Sequence, residues 1–230
     1  MAQTTTELLR TALLDGRFAP LEKLQEESLS ALLRVSRTPV RSALHSLAAE
    51  GLLDYVPNRG YSVRGVDADG LDSIFDLRGV LEGLAARRAA EHGMNEATLA
   101  VCGRALAEGD RVISKGRLLP SDRAVFIEVN ATIHQAIVGV APDRMLPDML
   151  RLCHNIPVLS HRNVSWDDYP WLRRSHDDHH RVVEAIRLRE GPRAEALMRE
   201  HIHSVKLRMQ TRLQGDAEAP GLPPEGRRRR

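Results

Sequence analysis

The sequence predicts a mainly α-helical chain in two parts: a small N-terminal unit ending in a two-stranded ribbon, and a larger all-helical bundle. Three observations carry this. Aromatic residues make up only 3% of the 230, and β-branched runs are scarce beside Ala, Leu, Arg and Glu, which favours helix. Apolar residues recur at helical spacing over most of the chain, and Gly or Pro punctuates the repeats. The exception is "LLDYVPNRGYSV", residues 52 to 63, where two short apolar stretches flank a Pro-Asn-Arg-Gly turn and read as a ribbon.

The first helix is "TELLRTALLDG", which places Leu8, Leu9, Ala12 and Leu13 on one face and stops at Gly16. "EKLQEESLSALLRV" reads as a second short helix with Leu29, Leu32 and Leu33 inward. A third begins at Ser36, an N-cap residue type, so Pro39 falls in the first turn, where its missing N–H leaves no bond unmade. On this helix Val40, Ala43, Leu44 and Leu47 share one arc, while Arg37, Thr38, Arg41, Ser42 and His45 fill the other. The ribbon then carries Asn58, Arg59 and Gly60 at its tip. Helix-turn-helix followed by a hairpin is a winged helix. Its exposed arginines suit phosphates or guanine edges, with a plain solvated face as the alternative.

Residues 1 to 65 thus form the winged unit, and "VDADG", residues 66 to 70, is a polar linker. Six helical segments follow within 71 to 214, at roughly 70–92, 95–115, 121–139, 143–161, 168–189 and 192–213. Residues 215 to 230, ending in "RRRR", lack apolar periodicity and are expected to be a disordered basic tail.

Composition bounds the function. At 42% apolar and 28% charged, the chain is an ordinary globular protein with enough apolar mass for a core. The formal net charge of +2 neither demands nor excludes nucleic acid, so its distribution decides. No apolar run approaches the roughly 20 residues that span a bilayer, and "MAQTTTELLRTALL" lacks a basic region followed by an apolar core. A cytoplasmic chain is expected. Cys102 and Cys153 stand alone, without CxxC spacing, and read as reduced thiols.

Nine of the ten histidines fall in the helical part. In "FIEVNATIHQAI" Asn130 and His134 lie one turn apart within the apolar arc, and burial obliges them to find partners. His180 borders the Leu172, Val183 and Ile186 face, and His201 lies on the Ala194, Leu197 and Val205 stripe. Side chains from three helices converging in this way fit either a metal or a buried hydrogen-bond network. His176 and His179 face near the same side as His180, whereas His154, His161 and His203 read as solvent-facing or supporting residues. Arg78 also faces inward with Glu82 one turn on, either as an internal ion pair or as a guanidinium aimed at a carboxylate ligand.

The stretches "SRTPVRSAL", "LAAEGLL" and "PNRGYSV" resemble the winged helix of the GntR family of bacterial transcription regulators, over residues 6 to 65. The resemblance implies DNA contacts from Arg37, Thr38 and Arg41 on the recognition helix and from Arg59 and Gly60 on the wing. It departs at two places: Arg34 and Leu21 stand where the family has glycine, and Arg34 either strains the turn or adds a phosphate contact. "LRGVLEGLAARRAA", "FIEVNATIHQAI", "HHRVVEAI" and "AEALMREHI" resemble the FCD ligand-sensing domain of the FadR subfamily over residues 71 to 205, with six helices as in the VanR-like group. That likeness implies a divalent metal, Zn first with Ni or Mn as alternatives, held by Asn130, His134, His180 and His201. The expected function is a non-enzymatic, ligand-responsive regulator. It would repress small-acid catabolic or uptake genes as a homodimer on double-stranded operator DNA, its effector a small carboxylate met by the metal and Arg78. The competing readings are a metal-dependent hydrolase and a regulator with a metal-free histidine core.

Overall fold

The computed structural model describes residues 4–140, 144–157 and 168–218, the last six as backbone only. His161 and residues 219–230 of the expected tail lie outside the described residues.

In the N-terminal unit, α1 (Thr5–Leu14) is closed by a capping box between Thr4 and Glu7. Helices α2 (Glu26–Leu33) and α3 (Arg37–Ala49) follow, then strands β2 (Leu53–Val56) and β3 (Gly60–Val63). The ribbon has a third strand, β1 (Lys23–Leu24), paired antiparallel to β3 in the order β1-β3-β2. Lys23 and Leu24, expected in the second helix, are strand instead; a two-residue strand depends on a distant partner, which local propensity does not report. Leu32, expected inward, is 67% exposed, because the shorter α2 presents Leu29 to the core instead. Leu9, Leu13, Leu29, Val40, Leu44, Leu47, Leu52 and Val63 close a core of their own.

The bundle contains α4 (Ala68–His92), α5 (Glu96–Ile113), α6 (Asp122–Val138), α7 (Met145–His154), α8 (Tyr169–Arg187) and α9 (Gly191–Glu218). Asp67 caps α4 by accepting from the Gly70 N–H, so helix takes over most of the expected linker. Helix α7 stops at His154, short of the expected end near 161. Helix α9 runs to Glu218, into the segment expected to be disordered, since extending a helix already formed adds one bond per residue and tolerates the weak formers Gly215 and Asp216. Helix α4 packs along α9 and also meets α6, α7 and α8, while α5 lies against α6 and α8. This places α4, α6, α8 and α9 around one interior. No helix among the described residues is long and apolar enough to cross a membrane.

Candidate metal and DNA-binding sites

On α3 the predicted division holds: Val40, Ala43, Leu44 and Leu47 are buried, and Arg37, Thr38 and Arg41 are exposed. Both arginines rest on acidic residues from the first turn of α2. Arg41 donates from Nε and Nη2 to the two oxygens of Glu26, each at 2.8 Å, and Arg37 pairs with Glu27. The wing turn has Pro57 in second place and Asn58 at φ 62° in third, closed by Arg59 N–H donating to the Val56 carbonyl at 3.0 Å. That is a type II turn, and it leaves Arg59 and Gly60 exposed at the tip. Arg34 is the C-cap of α2 in the left-handed conformation, φ 56°, with its side chain in solvent.

In the bundle, His134, His179 and His201 converge from α6, α8 and α9, with one ring nitrogen from each within 4.8 Å of the others. All three are buried. His134 Nε2 and His179 Nε2 stand 3.2 Å apart. Two imidazole nitrogens sharing a cation at about 2.0–2.1 Å lie roughly 3.0–3.4 Å apart, so this separation matches an edge of a coordination shell. Glu82 orients the His134 ring. Its Oε2 lies 2.5 Å from His134 Nδ1 as an acceptor, which turns Nε2 toward His179, and its Oε1 accepts from Arg78 Nε at 2.9 Å. Burial works against the Glu82 carboxylate, yet Arg78 and then His134 hold its pKa well below the ordinary value. Burial and the neighbouring imidazoles push His179 well below its usual pKa, and burial lowers His201 against the pull of Asp178, which favours the neutral form of both rings.

Three imidazoles are a donor set that suits a divalent cation; on the far side of the rings, Nδ1 of His179 and Nδ1 of His201 are buried without a hydrogen-bond partner among the described residues. Asp178 Oδ2, equally unpartnered, lies 3.9 Å from His201 Nδ1, placed to receive its proton when the other nitrogen is a ligand. Asn130, half-buried, stands one turn before His134 on α6. Arg78 is 7% exposed, its Nε committed to Glu82 and its guanidinium 4.9 Å from the Phe75 ring centroid.

His180 does not join His134 and His201. Its Nε2 lies 2.9 Å from Asp110 Oδ1 on α5, and His176 Nε2 lies 3.0 Å from the same oxygen. The reason is helical phase. At about 100° per residue, the buried residues Leu172, Val182, Val183 and Ile186 centre on the direction of His179, while His180 is turned about 100° away. The signal for His179 was therefore present in the apolar stripe of α8. Glu82 as partner of His134, and Asp110 as partner of two histidines, join residues 52 and 66–70 positions apart, and no local pattern announces them.

A winged unit with an exposed arginine face, joined to a helical domain with a buried polar centre, defines a DNA-binding transcription regulator with a ligand-sensing domain. The model of the bacterial regulatory protein gntR family matches residues 1–63, and that of the FCD domain matches residues 73–204. The chain belongs to the GntR family and carries an FCD domain. It is 30% identical over 187 residues to the Nta operon transcriptional regulator of Aminobacter aminovorans, covering 80% of this chain and 83% of that one. The HTH-type transcriptional repressor GlaR of Escherichia coli K12 is 27% identical over 207 residues, covering 84% and 89%. The solved structure of E. coli McbR/YncC shares the fold, with a TM-score of 0.75 at 22% identity over 93% of this chain and 100% of that chain.

Proposed function

We propose that this regulator is a repressor that binds a two-fold symmetric operator as a homodimer and leaves it when a small carboxylate occupies the helical domain. One winged helix reads only a short half-site, and a symmetric dimer suits symmetric DNA. Arg37, Thr38 and Arg41 are the base and phosphate contacts of each half-site, with Arg59, Gly60 and Arg34 on the backbone. The genes controlled are those for catabolism or uptake of a small acid.

The helical domain holds a divalent ion, zinc before nickel or manganese, on His134, His179 and His201, with the Asn130 amide oxygen as fourth donor. The observation that carries this reading is the 3.2 Å approach of two buried Nε2 atoms, one of them on a ring oriented by Glu82. When bound, the ion supplies a Lewis-acid point for a carboxylate oxygen. Neutral ligands put no anion on the ion itself, and Arg78 balances the charge of Glu82 behind His134, so the ion's own charge favours an anionic effector.

His134→Ala tests the reading. The tightest-bound equivalent of metal, measured by titration of purified protein, is expected to weaken by at least tenfold, and the release of operator by carboxylates is expected to disappear. Affinity for the operator without effector should stay within about twofold. Retention of that tightest equivalent by this variant would remove the proposed site.

A further inference from the structure

A second cluster of ligand-type side chains lies beside the first and has its own chemistry. His176 and His180 are one turn apart on α8, and both present Nε2 to one oxygen of Asp110 on α5, at 3.0 and 2.9 Å. The three ligand atoms lie within 4.8 Å of one another. Adjacent ligands about 2.1 Å from one ion in an octahedral shell are about 3.0 Å apart, so both nitrogen-to-oxygen distances match shell edges. Two imidazoles and one carboxylate on one side, with solvent on the other, is a donor set for a borderline divalent cation that keeps its remaining positions open.

The arrangement is built into the packing. Gly109, the residue before Asp110, faces the His176 ring so closely that a Cβ there would sit 2.1 Å from Cε1. Only the missing side chain lets the buried ring reach the carboxylate of the next residue. Phe126 packs edge-on against the same ring, with centroids 5.6 Å apart. His176 is 2% exposed at its side chain and rigidly seated, whereas His180 and Asp110 are 42% and 57% exposed and open to solvent. His179 on the same helix is turned about 60° from His176 toward His134 and His201, its ring centroid 6.3 Å from that of His176.

We propose that Asp110, His176 and His180 form a second divalent-cation site, solvent-accessible and weaker than the buried cluster, where an ion ties α5 to α8. The ion class is that of Zn(II), Ni(II) or Co(II), which imidazole nitrogen favours over Mg(II) or Ca(II). The site does not depend on the buried cluster being a metal centre, since the two share no ligand.

Equilibrium dialysis of the full chain against Zn(II) and Ni(II) tests it, with circular dichroism as the check on folding. Wild type is expected to bind two equivalents per chain. The double variant Asp110→Asn/His180→Ala, altered only at exposed side chains, should lose the weaker equivalent and keep the tighter. His134→Ala should do the reverse. A double variant that still binds the second equivalent would overturn the proposal, as would a wild type whose only equivalent is lost in His134→Ala. A single equivalent lost only in the double variant would support this site while removing the buried one.

Discussion

Arg34 and Leu21 hold left-handed backbone, at φ 56° and 65°, a region costing an L-residue roughly 1–2 kcal/mol. They are the same two positions at which the sequence departs from the glycines of the family it resembles, so the strain was readable before any coordinates. Glycine removes the steric penalty and returns part of the gain through the entropy of the unfolded chain, about 0.4–1 kcal/mol. Arg34→Gly is therefore expected to stabilise the protein by about 0.5–1 kcal/mol, a rise of a few degrees at most in thermal melting for a chain of this size. Operator affinity measured on the same variant separates the two expectations for Arg34. A more stable variant with weaker DNA binding means that the side chain touches phosphate and that strain is retained for that contact. Unchanged affinity leaves it as turn strain alone. His179 shows the opposite case of legibility: it sits at the centre of the α8 stripe, yet three histidines within five residues compete for one place, and only the turn of the helix separates them.

At the scale of elements, the helices were legible because each is an apolar stripe set between Gly or Pro breaks that are local in sequence; in four of them Thr4, Asp67, Asn95 and Asp168 also accept from backbone N–H groups in the first turn. Strand β1 was not, because Lys23 and Leu24 become strand only through β3, some forty residues away. The function of α3 is likewise local. Its buried arc fixes the helix in the core, and its exposed arc projects Arg41 with the guanidinium held flat by Glu26. An exposed pair of this kind contributes little to stability, with a median of about 0–1 kcal/mol, so losing it should leave the fold intact. Arg41→Ala is expected to weaken operator binding by roughly 1–3 kcal/mol with thermal melting unchanged. Titration across salt concentrations identifies the contact. A loss confined to the specific site means a base contact, whereas a uniform loss with a salt slope shallower by about one means a phosphate. Affinity within twofold of wild type would take Arg41 off the DNA.

At the scale of the molecule, the two parts meet through a short run of contacts that connects the buried histidines to the recognition helix. Glu82 accepts from His134 on one oxygen, and its other lies 3.5 Å from His154 Nε2, at the end of α7. The next residue, Asn155, is the C-cap of α7 and donates from Nδ2 to the Glu50 carbonyl at 2.9 Å. Glu50 is the C-cap of α3, and its carboxylate is gripped by Arg10 of α1 at 2.8 Å. Under the proposed function, a ligand that moves His134 would be felt, through Glu82 and the end of α7, at the end of α3. Coupling between sites in regulators is typically about 1–3 kcal/mol, and a residue on the route carries about 0.5–2 of it. Asn155→Ala is therefore expected to leave operator affinity without effector, and effector affinity without DNA, each within about twofold. The factor by which effector weakens operator binding should shrink by about 0.5–2 kcal/mol. Linkage requires the reciprocal factor, by which operator weakens effector binding, to shrink equally, so two independent titrations must agree. Unchanged coupling in both would take Asn155 out of the connection and leave the two domains to communicate through a different surface.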